Sequence, residues 1–252
     1  MRILKYKKES KGKYKVFLEN GVSISFYEEV ILKYELLFKR ELDEETLIEA
    51  DMYNQECDVY YAALNNIQRR FRSINELKEL LIRKEYPLEY IDKAISKLIK
   101  QGYLNDSSFV KSYVNNQMIT TNKGPFKIEK ELLEKKIDSD IVKHGLLQFT
   151  DEEQVERINK IITRLIRSNH SRGGIVLKQK IFTDLKKLGY DISIINEVLS
   201  NFDFKVDSEI AKREYDKLYR KYSRKYSGYE LANIIREKLY LKGLKYEEEW
   251  EE

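Results

Sequence analysis

One helical start recurs four times along this chain, and that recurrence limits the fold more than any other feature. Ile74, Pro125, Gly174 and Gly228 lie 51, 49 and 54 residues apart. Three residues after each comes an aliphatic residue, Leu77, Ile128, Leu177 or Leu231, and seven after each another, Leu81, Leu132, Ile181 or Ile235. Spacing of this kind sets both residues on one helix face. Each interval has room for three helices with short loops, and a unit of about fifty residues has too thin a core to stand without its neighbours. Only 2 prolines and 10 glycines interrupt the chain, which favours helices over a turn-rich β fold. The expected architecture is mainly α: an elongated tandem array of three-helix repeats.

The amino-terminal stretch departs from this pattern. "RILKYKKES", "KYKVFLE" and "VSISF" are short β-type runs, and "ENGV" between the last two is a hairpin signal. A small antiparallel β segment of two or three strands is expected over residues 2–26. A helix over 27–38, "YEEVILKYELLF", is expected to cover one of its faces. Beyond it the helix starts are marked by caps: Asp43, Ser73 in the capping box "SINE", Asn105 or Asp106, Asp138, Thr150 in "TDEE", Asp191 and Asp207. Pro87 suits a first helical turn, and Gly102 a helix end. The resulting division is 1–42 for the β-hairpin and helix segment and 43–104 for a linking helix with the first repeat. Repeats two and three fall at 105–150 and 151–205. A partial fourth repeat with an acidic tail takes 206–252, lacking its third helix.

Composition excludes several classes of function. Cys57 is the sole cysteine and His144 and His170 the only histidines, so no disulfide forms within the chain and no metal site or metal cofactor is expected. "GGIVLKQK" lacks the spacing of a phosphate-binding loop, and no acid–base–nucleophile set stands out, so no catalytic residue and no cofactor are expected. "MRILKYKKES" has no apolar segment of the signal-peptide kind, and no run is long enough to span a bilayer. The expectation is a cytoplasmic, monomeric binding protein, not an enzyme.

The net charge of +4 is unevenly spread. Residues 157–190 carry nine Lys or Arg against the single acid Asp184, and 211–226 form a second basic block, whereas 41–58 and "EEEWEE" are acidic. This polarity fits a partner bearing phosphates or an acidic surface. Two residues before three of the starts stand Arg72, Lys123 and Arg172; in the fourth copy Lys225 is displaced by one. A cation there opposes the helix dipole, so local stability does not ask for it, and a repeated external partner would. Tyr60, Tyr61, Phe71, Tyr86, Tyr90, Tyr103, Phe109 and Tyr113, at helical spacing beside Leu and Ile, read for the most part as core aromatics. Tyr215, Tyr219, Tyr222, Tyr226 and Tyr229 interleave with Lys and Arg and are candidates for an interface.

The run "RRFRSINELKELLIRKEYPLEYIDKAISKLIKQGYLNDSSFVKSYV" with "NKGPFKIEKELLEKKIDSDIV" resembles the RecX family of RecA regulators. The pattern is carried by Arg72, Ser73, Leu77, Gly102, Tyr103, Leu104, Asp106, Phe109, Tyr113, Lys123, Gly124, Ile128 and Leu132. It is strongest over about residues 60–145 and extends more weakly to about 246. Val110 stands where the family often has alanine, and "EKKI" replaces a commoner Lys-Gly turn. The resemblance implies a negative modulator of RecA in DNA repair, homologous recombination and the SOS response. Such a protein binds along the RecA–DNA filament and limits ATP hydrolysis, strand exchange and filament growth. The candidate contacts to RecA or DNA are Arg69, Arg70, Arg72, Lys123, Lys127, Arg167, Arg172, Lys178, Arg220, Arg224 and Lys225. The implied partner is the RecA filament, with single- or double-stranded DNA as a further candidate. The alternative is a protein acting on DNA directly through helix-turn-helix-like repeats.

Overall fold

The computed structural model describes residues 1–10, 12–39, 41–204 and 208–246. The expected cap Asp207 and the acidic tail lie outside them. The described residues form twelve helices and one small antiparallel sheet, in two compact units: Met1–Phe109 with Lys135–Ile137, and Val110–Glu134 with Asp138–Glu252.

In the first unit β1 (Ile3–Lys8), β2 (Lys13–Leu18) and β3 (Ser23–Tyr27) pair in sequence order. The expected hairpin joins β2 to β3: Asn20 accepts from the Val22 N–H at 3.1 Å, and Gly21 takes the left-handed backbone (φ +80°) that the tight turn requires. Val16, Leu18 and Phe26 put one face of the sheet into a core with Val30, Ile31, Leu36 and Leu42. The expected helix over 27–38 is shorter: α1 spans Glu28–Lys33. Glu35 turns to φ +53°, and Leu36 N–H donates back to Ile31 O at 2.9 Å. Leu36 is thereby fully buried. Burying that side chain outweighs the roughly 1 kcal/mol cost of a left-handed residue.

The main cover of the sheet is α2 (Glu44–Arg69), opened by Asp43, which accepts from Thr46 N–H. Asn54 on α2 accepts from Tyr27 N–H at 3.0 Å and donates to Ser25 O at 3.1 Å, satisfying the outer edge of β3. At about 39 Å long, α2 serves two cores. Its first half, through Ala50 and Cys57, closes the sheet; its second half, through Val59, Tyr60 and Ala63, packs with α3 (Ile74–Ile82) and α4 (Leu88–Lys100). Ser73 and Glu76 make the full capping box at α3. Pro87 is the N-cap of α4, one position before the expected first turn, and Gly102 (φ +76°) closes that helix.

Helix α5 (Asp106–Thr120) begins in the first unit and continues into the second, which holds α6 (Pro125–Glu134), α7 (Ser139–Leu146), α8 (Asp151–Arg167), α9 (Gly174–Leu188), α10 (Ile192–Ser200), α11 (Ser208–Tyr222) and α12 (Gly228–Tyr240). Asn105 is the residue that caps α5, accepting from Ser108 N–H, while Asp106 accepts from Ile74 N–H at 2.8 Å. Ile74, Pro125, Gly174 and Gly228 are the first residues of α3, α6, α9 and α12, and the residues three and seven later are all buried. Val110 is accommodated by Gly145 on α7: a Cβ there would lie 2.2 Å from its Cγ1.

Candidate functional site

The basic residues singled out in the sequence gather at one kind of place. Apart from Lys178, in the second turn of α9, they lie at the turn into α3, α6, α9 or α12 or within the first turn of those helices, or close the helix before it. The capping geometry explains the turns themselves; it does not explain the charges, so each needs its own account.

Three cations are engaged within the fold. Arg70 pairs with Glu76 at 3.5 Å. Arg72 donates through Nε to Asn66 O at 3.4 Å, in the last turn of α2, where orphan carbonyls attract a cation. Burial and the nearby Arg70 draw its pKa down. Lys123 pairs with Glu131 at 2.7 Å, and Tyr113 Oη donates to the same carboxylate at 2.8 Å. Burial raises the Glu131 pKa, but the bonds from Lys123 and Tyr113 outweigh it and hold the group below its ordinary value.

The second unit also revises the dipole argument. Gly124 N–H donates to Leu188 O at 2.7 Å, and Phe126 N–H to Gly189 O at 3.0 Å. The amino end of α6 thus rests on the carboxyl end of α9, orphan donors meeting orphan acceptors. The negative end of the α9 dipole lies at that corner, which gives Lys123 a local reason to be there. Gly173 N–H donates in the same way to Lys242 O at 3.0 Å, just beyond α12. A Cβ on Gly124 would approach Gly189 O to 2.5 Å, and one on Gly243 would approach Gly173 O to 2.3 Å. Gly124, Gly189 and Gly243 thus stand where the approach leaves no room for a Cβ.

The remaining cations face outward. Arg69, Lys127, Arg167, Arg220, Arg224 and Lys225 are exposed and make no ion pair with any described residue. Arg172 is half-buried; Asn169 accepts from its main-chain N–H at 3.1 Å, and its guanidinium has no ion pair among the described residues. Lys178 lies 5.9 Å from the Phe204 ring. Arg220, Arg224 and Lys225 stand close in sequence at the end of α11, beside the tilted pair Tyr222 and Tyr226. Of the interface aromatics, Tyr215 is buried in the core of α11 and α12, whereas Tyr219 and Tyr229 are exposed.

One member of the expected basic block is structural. The Arg157 guanidinium donates to Met118 O and Thr121 O, both at 2.6 Å, and lies 5.5 Å from the Phe149 ring. It closes the carboxyl end of α5, a role that sequence spacing did not signal. Cys57 is buried, and burial, aided by the nearby Glu29, pushes its thiol up to about 11, which suits packing and not nucleophilic chemistry. Among the described residues no group of acids, histidines and cysteines is placed to hold a metal, and no helix is long and apolar enough to cross a membrane.

Comparison with known proteins gives a consistent picture. A family model described as RecX, second three-helix domain, matches residues 105–146, which hold α5, α6 and α7. A regulatory protein RecX from Listeria monocytogenes serotype 4b is 31% identical over 223 residues, covering 86% of this chain and 82% of its own. That from Bacillus subtilis is 29% identical over 241 residues, covering 94% and 90%. A crystal structure of a regulatory protein RecX superposes with a TM-score of 0.70 at 25% identity, over 79% of this chain and 99% of the other. RecX from Lactobacillus salivarius gives a TM-score of 0.56 at 30% identity, over 59% and 96%.

Proposed function

Since this chain belongs to the RecX family, we propose that it is a negative regulator of the RecA recombinase that binds along the RecA–DNA filament. It acts in the cytoplasm as a monomer and makes or breaks no bond. Occupying the filament limits ATP hydrolysis, strand exchange and filament growth.

The observation that carries this reading is the recurrence of outward-facing cations at the turns into α3, α6, α9 and α12. A repeated protein bearing one charged turn per repeat is matched to a partner that repeats as well. The exposed members, Arg69, Lys127, Arg167, Arg220, Arg224 and Lys225, supply the attraction, with Arg172 and Lys178 beside them. Arg70, Arg72 and Lys123 shape their turns. Phosphates or acidic patches on successive protomers are the groups such cations meet.

The test is RecA-catalysed ATP hydrolysis on single-stranded DNA. Sub-stoichiometric protein lowers the rate, and no effect at equimolar protein in low salt overturns the proposal. Replacing Arg69, Arg167, Arg220 and Arg224 together by Glu is expected to weaken inhibition about tenfold or more, with the helical circular dichroism unchanged. An alternative protein acting on DNA directly would instead bind DNA without RecA, with sequence preference and an affinity falling steeply with salt.

A further inference from the structure

The residue after each start of α6, α9 and α12 is a large apolar side chain turned to solvent: Phe126, Ile175 and Tyr229, at 52%, 69% and 80% exposure. Local structure gives no reason for this. The helices already bury their third and seventh residues beyond the start, and the second position could be polar at no cost, as Asn75 is on α3. Exposed apolar side chains scattered singly are ordinary, but the same position exposed in three successive copies is not.

The backbone junctions fix how these side chains are spaced. Phe126 N–H is bonded to Gly189 O at the end of α9, and Ile175 stands at the start of α9, so the length of that helix separates them, about 22 Å. Gly173 N–H is bonded to Lys242 O beyond α12, and Tyr229 stands at the start of α12, which separates Ile175 from Tyr229 by about the same distance. One junction, used twice, therefore places three apolar knobs at similar intervals, about 22 Å and about 20 Å. Each has a cation within four residues of it in sequence: Lys127 for Phe126, Arg172 for Ile175, and Lys225 for Tyr229.

We propose that Phe126, Ile175 and Tyr229 are three equivalent anchors for a protein polymer whose successive subunits each present an apolar hollow with an acidic rim. An apolar body beside a cation fits such a hollow. Nucleic acid fits less well, because Ile175 offers no ring on which a base can stack. The surface identifies which side chains hold the filament in the function proposed above, and it rests on that reading.

The experiment replaces Phe126, Ile175 and Tyr229 by Ser, singly and together, and measures co-sedimentation with RecA filaments assembled on single-stranded DNA. Each single variant is expected to bind about five- to tenfold more weakly, and the triple variant more than about a hundredfold more weakly. All should keep the wild-type melting temperature, because the side chains removed are exposed. If the wild type sediments and the triple variant sediments equally well, the anchors are wrong and the regulatory reading stands. If the wild type itself fails to sediment, both fall. If the triple variant keeps its filament affinity but loses affinity for naked single-stranded DNA, the surface belongs to nucleic acid and the proposal is overturned.

Discussion

The turns into α3 and α6 perform the same task with opposite materials. Around α3, in the first unit, the contacts run through side chains: Glu76 takes Lys135 at 2.6 Å, Glu79 takes Lys136 at 2.9 Å, and Asp106 caps Ile74 N–H. At α6, in the second unit, main chain meets main chain, and both Gly124 and Gly189 are needed for the approach. Long side chains can yield by changing rotamer, whereas a peptide group 2.5 Å from an added Cβ cannot. The ionic corner should therefore tolerate substitution and sense pH, and the glycine corner should do neither.

The sharpest break of this comparison is Gly189→Ala. The new Cβ would lie 2.4 Å from Lys127 N, and the residue sits at φ +86°. Strain and clash together should cost about 3–5 kcal/mol, lowering the melting temperature by roughly 6–20 °C. Gly124→Ala should cost nearly as much, since its Cβ would lie 2.5 Å from Gly189 O and 2.7 Å from Tyr190 N. Thermal unfolding followed by circular dichroism decides this. A loss below that of Glu76→Gln would abolish the distinction between the two corners.

The ionic corner gives a smaller, pH-dependent effect. Burial raises the Glu76 pKa, but Lys135, the Ser73 N–H and Arg70 outweigh it and hold the carboxylate below its ordinary value near 4.5. A depressed carboxylate stabilises the fold above its unfolded pKa, and that contribution is lost as pH falls through the folded value. Glu76→Gln should thus cost about 1–2 kcal/mol at pH 7, with the gap to wild type closing once pH drops below about 4. Asp106 works the other way: burial raises its pKa, so its protonation relieves strain on acidification. Chemical denaturation of both proteins between pH 7 and pH 3 measures the gap; a constant difference would mean the ion pairs contribute nothing.

Why the starts were legible and the corners were not follows from what each depends on. Leu77, Leu81 and their counterparts are buried by a periodicity that lies within ten residues of chain. The same holds for the caps at Asp43, Ser73, Asp138 and Asp191. The Gly124–Gly189 approach joins residues 65 positions apart, and neither glycine signals the other. The cation at residue 123 looked unfavourable only because the carboxyl end of α9, which meets it, is absent from any local window. For the same reason the sequence grouped Arg157 with exposed charges, although distant carbonyls claim it. The exposed knobs were within reach, as the position after each start could have been compared across copies, but exposure itself depends on the fold.

The smallest effect concerns the end of α6 itself. Lys136 occupies φ +58°, the left-handed position that glycine fills as Gly189 after α9 and Gly243 after α12. A non-glycine residue there gives up about 1 kcal/mol relative to glycine. Lys136 returns little, because its pair with Glu79 is exposed on both sides and screened by water. Lys136→Gly should therefore leave stability unchanged or raise it by about 0.5 kcal/mol at low salt, with the gain growing in high salt as screening removes the ion pair from the wild type. Equilibrium denaturation at two salt concentrations measures this. A loss approaching the roughly 3–5 kcal/mol expected of Gly189→Ala would show that Lys136 holds the corner as firmly as a glycine junction does, and the contrast between the two corners would then shrink to their sensitivity to pH.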